Sequence, residues 1–149
     1  MHYCTNTILD VIHTNRDLVE LHWAEVIADQ PDATLRISDS KYKWLEDNNH
    51  LATYTVHDED KMVGYAVWTI LESLHSGNLQ AVNDCIYIHP DYRNKGLASK
   101  LMELSELSLT EQGIKHMGIS MKSYGRFEGL VKELGYKLTE LTYTKSTGG

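Results

Sequence analysis

The residues with the plainest chemical purpose form one stretch, Ile86-Tyr87-Ile88-His89-Pro90-Asp91-Tyr92-Arg93-Asn94-Lys95-Gly96-Leu97-Ala98-Ser99. An apolar, strand-like run enters a short basic turn, and the turn opens directly onto an amphipathic helix. The first N–H groups of a helix lack intrahelical partners, and the aligned peptide dipoles add partial positive charge at the same end. Such an end binds anions, phosphates above all. Gly96 has no Cβ, so a diphosphate could come close to the backbone, and Ala98 keeps the next turn narrow. Arg93 and Lys95 supply counter-charge. Two common phosphate loops are excluded, because neither GxxxxGK[ST] nor a strand-borne GxGxxG occurs.

Holding that turn in place requires a strand before it and a helix after it. Residues 79–89 read as the strand, begun after Ser76, Gly77 and Asn78 and ended by Pro90. Residues 95–112 read as the helix, with Leu97, Leu101 and Leu104 on one stripe and Gly113 just past its end. Upstream, 51–57 and 62–71 alternate with period two around the polar turn 58–61 and predict a hairpin. Helical spacing marks 15–29, closed by Pro31, and a shorter helix at 38–47, while a first strand is expected near 3–12. After the central helix come a strand over 116–121, a helix over 124–134 between Ser123 and Gly135, and a last strand over 136–144. Trp23, Trp44 and Trp68 fall on apolar faces and are expected in the core, with Trp44 also placed to border a pocket. The tail 145–149 is expected to fray. The expected architecture is α/β (α+β): one domain over residues 1–149, a mixed, mostly antiparallel sheet flanked by helices.

Composition agrees with one globular domain: 149 residues, 42% hydrophobic and 23% charged. The net charge is −7 and the basic residues are scattered, which disfavours nucleic acid as a partner. The longest apolar run, 64–71, is far shorter than the ~20 residues of a membrane span. No basic start precedes an apolar stretch, so no secretory signal is expected and the chain reads as cytoplasmic. Cys4 and Cys85 make no disulfide framework, and Cys85 reads as a reduced core thiol. The histidines form no HxH or HxxxH pair and no CxxC occurs, so no metal is expected.

Arg93-Asn94-Lys95-Gly96-Leu97-Ala98 resembles the [Q/R]-x-x-G-x-[G/A] hallmark of the GNAT superfamily of acyl-CoA-dependent N-acyltransferases. The preceding residues Ile86 to Arg93 resemble that family's strand and turn, and Leu130 to Tyr136 resemble its recurrent "lYeklGF" ending. The element order fits over essentially the whole chain. The resemblance implies that the main-chain amides of Asn94, Lys95, Gly96, Leu97, Ala98 and Ser99, beside Arg93, hold the diphosphate of acetyl-CoA as co-substrate. It also implies that main-chain groups of Ile86, Tyr87 and Ile88 bind the pantetheine arm as an added strand and polarise the thioester carbonyl. An amine then attacks directly, with no covalent acyl-enzyme.

A lysine-like amine of pKa ~10.4 is neutral in only about one molecule in a thousand at pH 7, so its proton needs a route out. Asp84 is the candidate base, or the holder of the cationic substrate; strict alternation would face it with Ile86 and Ile88, away from Cys85 and Tyr87. Many relatives protonate the departing sulfur with a tyrosine in "lYeklGF", where this chain has Val131. Tyr124 is the candidate substitute, and packing is its plainer role. Lys100, Lys122 and Arg126 could meet the ribose phosphate or remain solvated. Asp39, Glu46, Asp47, Asp58, Glu59, Asp60 and Glu72 suggest a surface that attracts cations. Three functions stay open: acetylation of a small primary amine, acetylation of a protein lysine or N-terminus, and acyl-CoA binding without catalysis. The resemblance also suggests a homodimer; no membrane partner is expected.

Overall fold

Period-two alternation gives every strand two faces, and this sheet packs helices against both. The computed structural model describes residues 1–26, 34–121 and 127–148. Its sheet has five strands in the order β1-β2-β3-β4-β5: β1 His2–Asn6, β2 Leu51–Asp58, β3 Lys61–Glu72, β4 Leu79–Ile88 and β5 His116–Ile119. The first four are antiparallel neighbours, while β4 and β5 run parallel. A parallel step needs a crossover, supplied by α3, Leu97–Glu111. The opposite face carries α1, Arg16–Val26, and α2, Asp39–Asp47. A short α4, Glu128–Glu133, ends at Gly135, whose φ of +90° closes the helix.

Two cores follow from the two faces. Val56, Val63, Trp68, Leu101, Met102 and Leu109 close the α3 side. Val11, Ile12, Leu18, Tyr65, Val67 and Tyr87 close the α1 side. Each fully buried side chain of this kind contributes roughly 1.5–3 kcal/mol. Gly64 lets β3 and β4 approach closely, because a Cβ there would lie 2.9 Å from the carbonyl oxygen of Tyr87. No helix among the described residues is long and apolar enough to cross a membrane.

Four expectations are corrected. The first strand stops at Asn6, whose side-chain amide donates to Asp10, and the chain then forms a helical turn over Asp10–Thr14. The central helix begins at Leu97, not at residue 95, because Gly96 is left-handed. Residues 136–144 form no strand: the alternating sequence needs a neighbour to pair with, and β5 makes no ladder to it. Tyr136 is tied down, donating to Glu106 at 2.9 Å, whereas Tyr143 is 90% exposed. Trp44 is 58% exposed and stacks on His50 rather than entering the core, while Trp68 is fully buried. The expected helix end near Pro31 and the start of the last helix at Ser123 lie outside the described residues.

Candidate active site

The turn between β4 and α3 is built to leave amides free. Asn94 and Gly96 both have positive φ, 62° and 78°, on either side of Lys95. Such alternation makes successive N–H groups converge, as in an anion-binding nest. The first amide to enter the helical ladder is that of Lys100, bonded to the Gly96 carbonyl at 3.1 Å. Among the described residues, the amides of Asn94, Lys95, Gly96, Leu97, Ala98 and Ser99 donate to no backbone or side-chain acceptor. Nothing lies within 4 Å of where a Gly96 Cβ would stand, so its left-handed φ and an approaching ligand are what favour glycine.

The turn is braced from below. Arg93 does not face the nest: Nε donates to the Ile88 carbonyl at 2.9 Å and Nη2 donates to Glu25 of α1 at 2.7 Å. Its guanidinium lies over the Tyr87 ring, 5.2 Å from the centroid. The Tyr87 hydroxyl donates to the same Glu25 oxygen at 2.8 Å. Tyr92 donates to Asp58 at 2.8 Å, and Lys95 and Lys61 hold their ammonium groups over its ring. His89 accepts the Asp91 amide and is a turn residue.

Beside the nest, β4 opens on one side. Its ladder with β5 covers Gln80 to Asn83, and from Asp84 to Ile88 the described residues put no strand against that side. The bond from His89 N–H to the Val63 carbonyl fixes the alternation with β3. It turns the main-chain groups of Tyr87 toward β3 and those of Ile86 and Ile88 toward the opening.

A bulge changes what faces the other way. Val67 pairs with Cys85 and Trp68 with Asn83, which leaves Asp84 as an extra residue without an opposite number. The expected parity of Asp84 is therefore wrong. Its side chain joins that of Cys85 in the wall of a cavity of about 330 Å³ on the α1 face. The cavity runs between β4, the 10–14 turn, α1 and α2, with Ile12, Val19, Trp23, Ile37, Tyr42 and Tyr65 among its walls.

Electrostatics in this cavity follow from burial. Surrounding protein raises the Asp84 carboxyl above its ordinary 3.8, and hydrogen bonding to the Tyr42 hydroxyl pulls it part of the way back. Burial and the Asp84 charge push Tyr42 up to about 12, so it stays a donor. Burial first, then Asp84, drives the Cys85 thiol upward, away from thiolate. His22 bonds through Nδ1 to the Tyr65 hydroxyl at 2.7 Å and stacks on Tyr87. Burial lowers its pKa, which favours neutral imidazole. Among the described residues no three His, Cys, Asp or Glu side chains converge on a metal position.

The acidic residues expected to attract cations lie elsewhere. Asp39 bonds His13, Glu46 accepts the Ile8 amide, Asp47 pairs with Lys43 and Asp58 holds Tyr92. Tyr124, Lys122 and Arg126 lie outside the described residues. Nothing in the sequence singles out Glu25, His22, Tyr42 or Tyr65 as neighbours of the site. No local motif marks them: Glu25 and His22 reach β4 and β3 across 40 or more positions of chain, Tyr65 through the pairing of β3 with β4, and Tyr42 through the fold of α2 against the sheet.

A sequence profile of the Acetyltransferase (GNAT) family matches residues 15–125. The chain belongs to this family. Among curated proteins no sequence matches it significantly. Solved GNAT structures superpose over nearly the whole chain. A ribosomal-protein-alanine N-acetyltransferase from Brucella melitensis biovar Abortus 2308 gives a TM-score of 0.73 at 17% identity, with 99% of this chain and 100% of that one covered. An aminoglycoside acetyltransferase from an uncultured soil metagenomic sample gives 0.79 at 10% identity, with 99% and 98% covered. A predicted acetyltransferase with acetyl-CoA from Clostridium acetobutylicum gives 0.72 at 14% identity, with 97% and 95% covered. At these identities the likeness is one of fold, and the GNAT sheet and crossover helix are what is shared.

Proposed function

We propose that the protein transfers the acetyl group of acetyl-CoA to a primary amine by direct attack. The nest from Asn94 to Ser99 holds the diphosphate, and the main-chain groups of Ile86 with the N–H of Ile88, whose carbonyl is taken by Arg93, hold the pantetheine arm like an added strand. One observation carries this reading: the open side of β4 leads from the nest to the bulge, and the bulge aims Asp84 into the cavity on the far face. The thioester, delivered along that edge, and the amine, held in the cavity, thus meet beside Asp84.

The amine arrives as ammonium and must lose a proton before its lone pair can form the new C–N bond. Asp84 takes that proton, directly or through water. Its raised pKa makes it a better base than an ordinary carboxylate, although still far below a free ammonium. Collapse of the tetrahedral species breaks the C–S bond, and coenzyme A leaves as thiolate or with a proton from Tyr124. Val131 offers none, but a thiol of pKa ~8.5 leaves without help. The test is release of free coenzyme thiol from acetyl-CoA over a panel of primary amines, with Asp84→Asn beside the parent. Loss of a general base lowers turnover by ~10²–10⁴-fold. Unchanged turnover and pH profile in Asp84→Asn would remove Asp84 from the mechanism.

A further inference from the structure

We infer that the acceptor is a monoamine with an apolar alkyl or aryl body, and not a polycation. The inference rests on the acetyl-transfer reading above and goes on to name what fills the cavity. Three features on the α1 face carry it.

The first is the wall. Ile8, Val11, Ile12, Val19, Leu35 and Ile37 line the space with hydrocarbon. Trp23, Tyr42 and Tyr65 add aromatic surface. Burying an apolar body against such a wall is favourable in proportion to the area removed from water.

The second is charge. Among the described residues, Asp84 is the one carboxylate in the lining, and it stands at the bulge where the acetyl group is delivered. It can pair with one ammonium. Among the described lining residues a second ammonium on the same substrate would find no carboxylate to pair with, and an unpaired charge against a largely apolar wall is disfavoured. Of the acidic side chains singled out in the sequence, Asp39, Asp47 and Asp58 are bonded to His13, Lys43 and Tyr92, Glu46 accepts the Ile8 amide, and none of the four is among the described lining residues.

The third is size. A volume of about 330 Å³ sits at the small end of the ~300–1,000 Å³ found for small-molecule sites. It suits a body of a few carbons or one ring. Aminoglycosides, the class named for one of the structural neighbours described above, are larger and carry several ammonium groups, so the shared fold does not imply a shared acceptor.

The experiment measures kcat/KM by coenzyme thiol release from acetyl-CoA. The amines are butylamine, hexylamine, 2-phenylethylamine, 1,6-diaminohexane, spermidine and kanamycin, with octanoyl-CoA in place of acetyl-CoA as a separate arm. From butylamine to hexylamine kcat/KM rises by about fourfold per methylene, the factor equivalent to ~0.8 kcal/mol. Hexylamine exceeds 1,6-diaminohexane, which differs only in a terminal ammonium, by about 100-fold or more. Leu35→Glu, which adds a carboxylate to the wall, cuts that ratio at least tenfold while acetyl-CoA still raises Tm, the sign that fold and coenzyme site survive. The inference is overturned if the diamine, spermidine or kanamycin matches hexylamine, if chain length has no effect, or if octanoyl-CoA outpaces acetyl-CoA. In the first two cases thiol is still released and the acetyl-transfer reading stands; in the third, acyl transfer to an amine stands and the cavity belongs to the acyl chain. If no amine releases thiol although acetyl-CoA raises Tm, the acetyl-transfer reading itself fails and takes the inference with it.

Discussion

The two sides of β4 solve opposite problems with opposite materials. On the open side, six consecutive residues present backbone amides, and the side chain that looks made for phosphate, Arg93, is turned inward to brace the turn. On the α1 side, the cavity is made of side chains drawn from residues as far apart as Ile8 and Cys85. A backbone-built site depends on φ and ψ and tolerates many side chains. A side-chain-built site depends on shape and charge and tolerates few. On the proposed reading, the coenzyme side therefore constrains side chains little, and the acceptor side is where substrate choice is set.

Substitutions can sharpen or break this contrast. Gly96→Val acts on the backbone side alone. A β-branched residue at φ +78° carries strain on the order of 1–3 kcal/mol and puts carbon where phosphate would approach. Acetyl-CoA binding by calorimetry should weaken by about 100-fold, the equivalent of ~2.7 kcal/mol. Equal binding by parent and variant would mean that the nest is not the coenzyme site.

Asp84→Asn acts on the acceptor side, and its thermal stability separates a working charge from a structural one. A carboxyl whose pKa is higher folded than unfolded takes up a proton more readily in the fold. Its contribution favours the fold below the ordinary 3.8 and is lost as pH rises through the folded value. At pH 7.5 Asp84→Asn should therefore melt at or above the parent temperature, with the two curves converging near pH 4. A variant less stable than the parent at pH 7.5 would make Asp84 a structural residue.

Tyr42→Phe is gentler. It removes the hydroxyl that lowers the Asp84 carboxyl, so the acid limb of the kcat/KM profile moves to higher pH, with only a few-fold loss at pH 8. A limb that stays in place would break the link between the two groups. Trp44→Ala is the smallest change. The ring is exposed and lies outside the cavity lining, so stability should alter by no more than about 0.5 kcal/mol and kcat/KM should hold.

The same contrast governs what could be read in the sequence. The turn at Gly96 was legible because its chemistry lies within neighbouring residues: a strand, a glycine, a helix start. The hairpin and α3 were legible for the same reason, through their periodicity. Asp84 was found by position but aimed wrongly, because one extra residue opposite Val67 reverses parity and leaves no mark in composition. His22, Tyr65 and Glu25 were missed because only folding brings α1 against β3 and β4. The last strand failed because alternation describes a strand's faces and says nothing of its neighbour.

If the turn holds coenzyme A as proposed, the inward turn of Arg93 also bears on how the two meet in solution. A chain of net charge −7 repels a phosphate-rich molecule at long range, and the braced guanidinium, paired with Glu25, does little to offset that field. Amide dipoles act only at contact. Because added salt shortens the reach of the repulsion to ~10 Å at 0.1 M and leaves the contact largely untouched, encounter quickens as ionic strength rises.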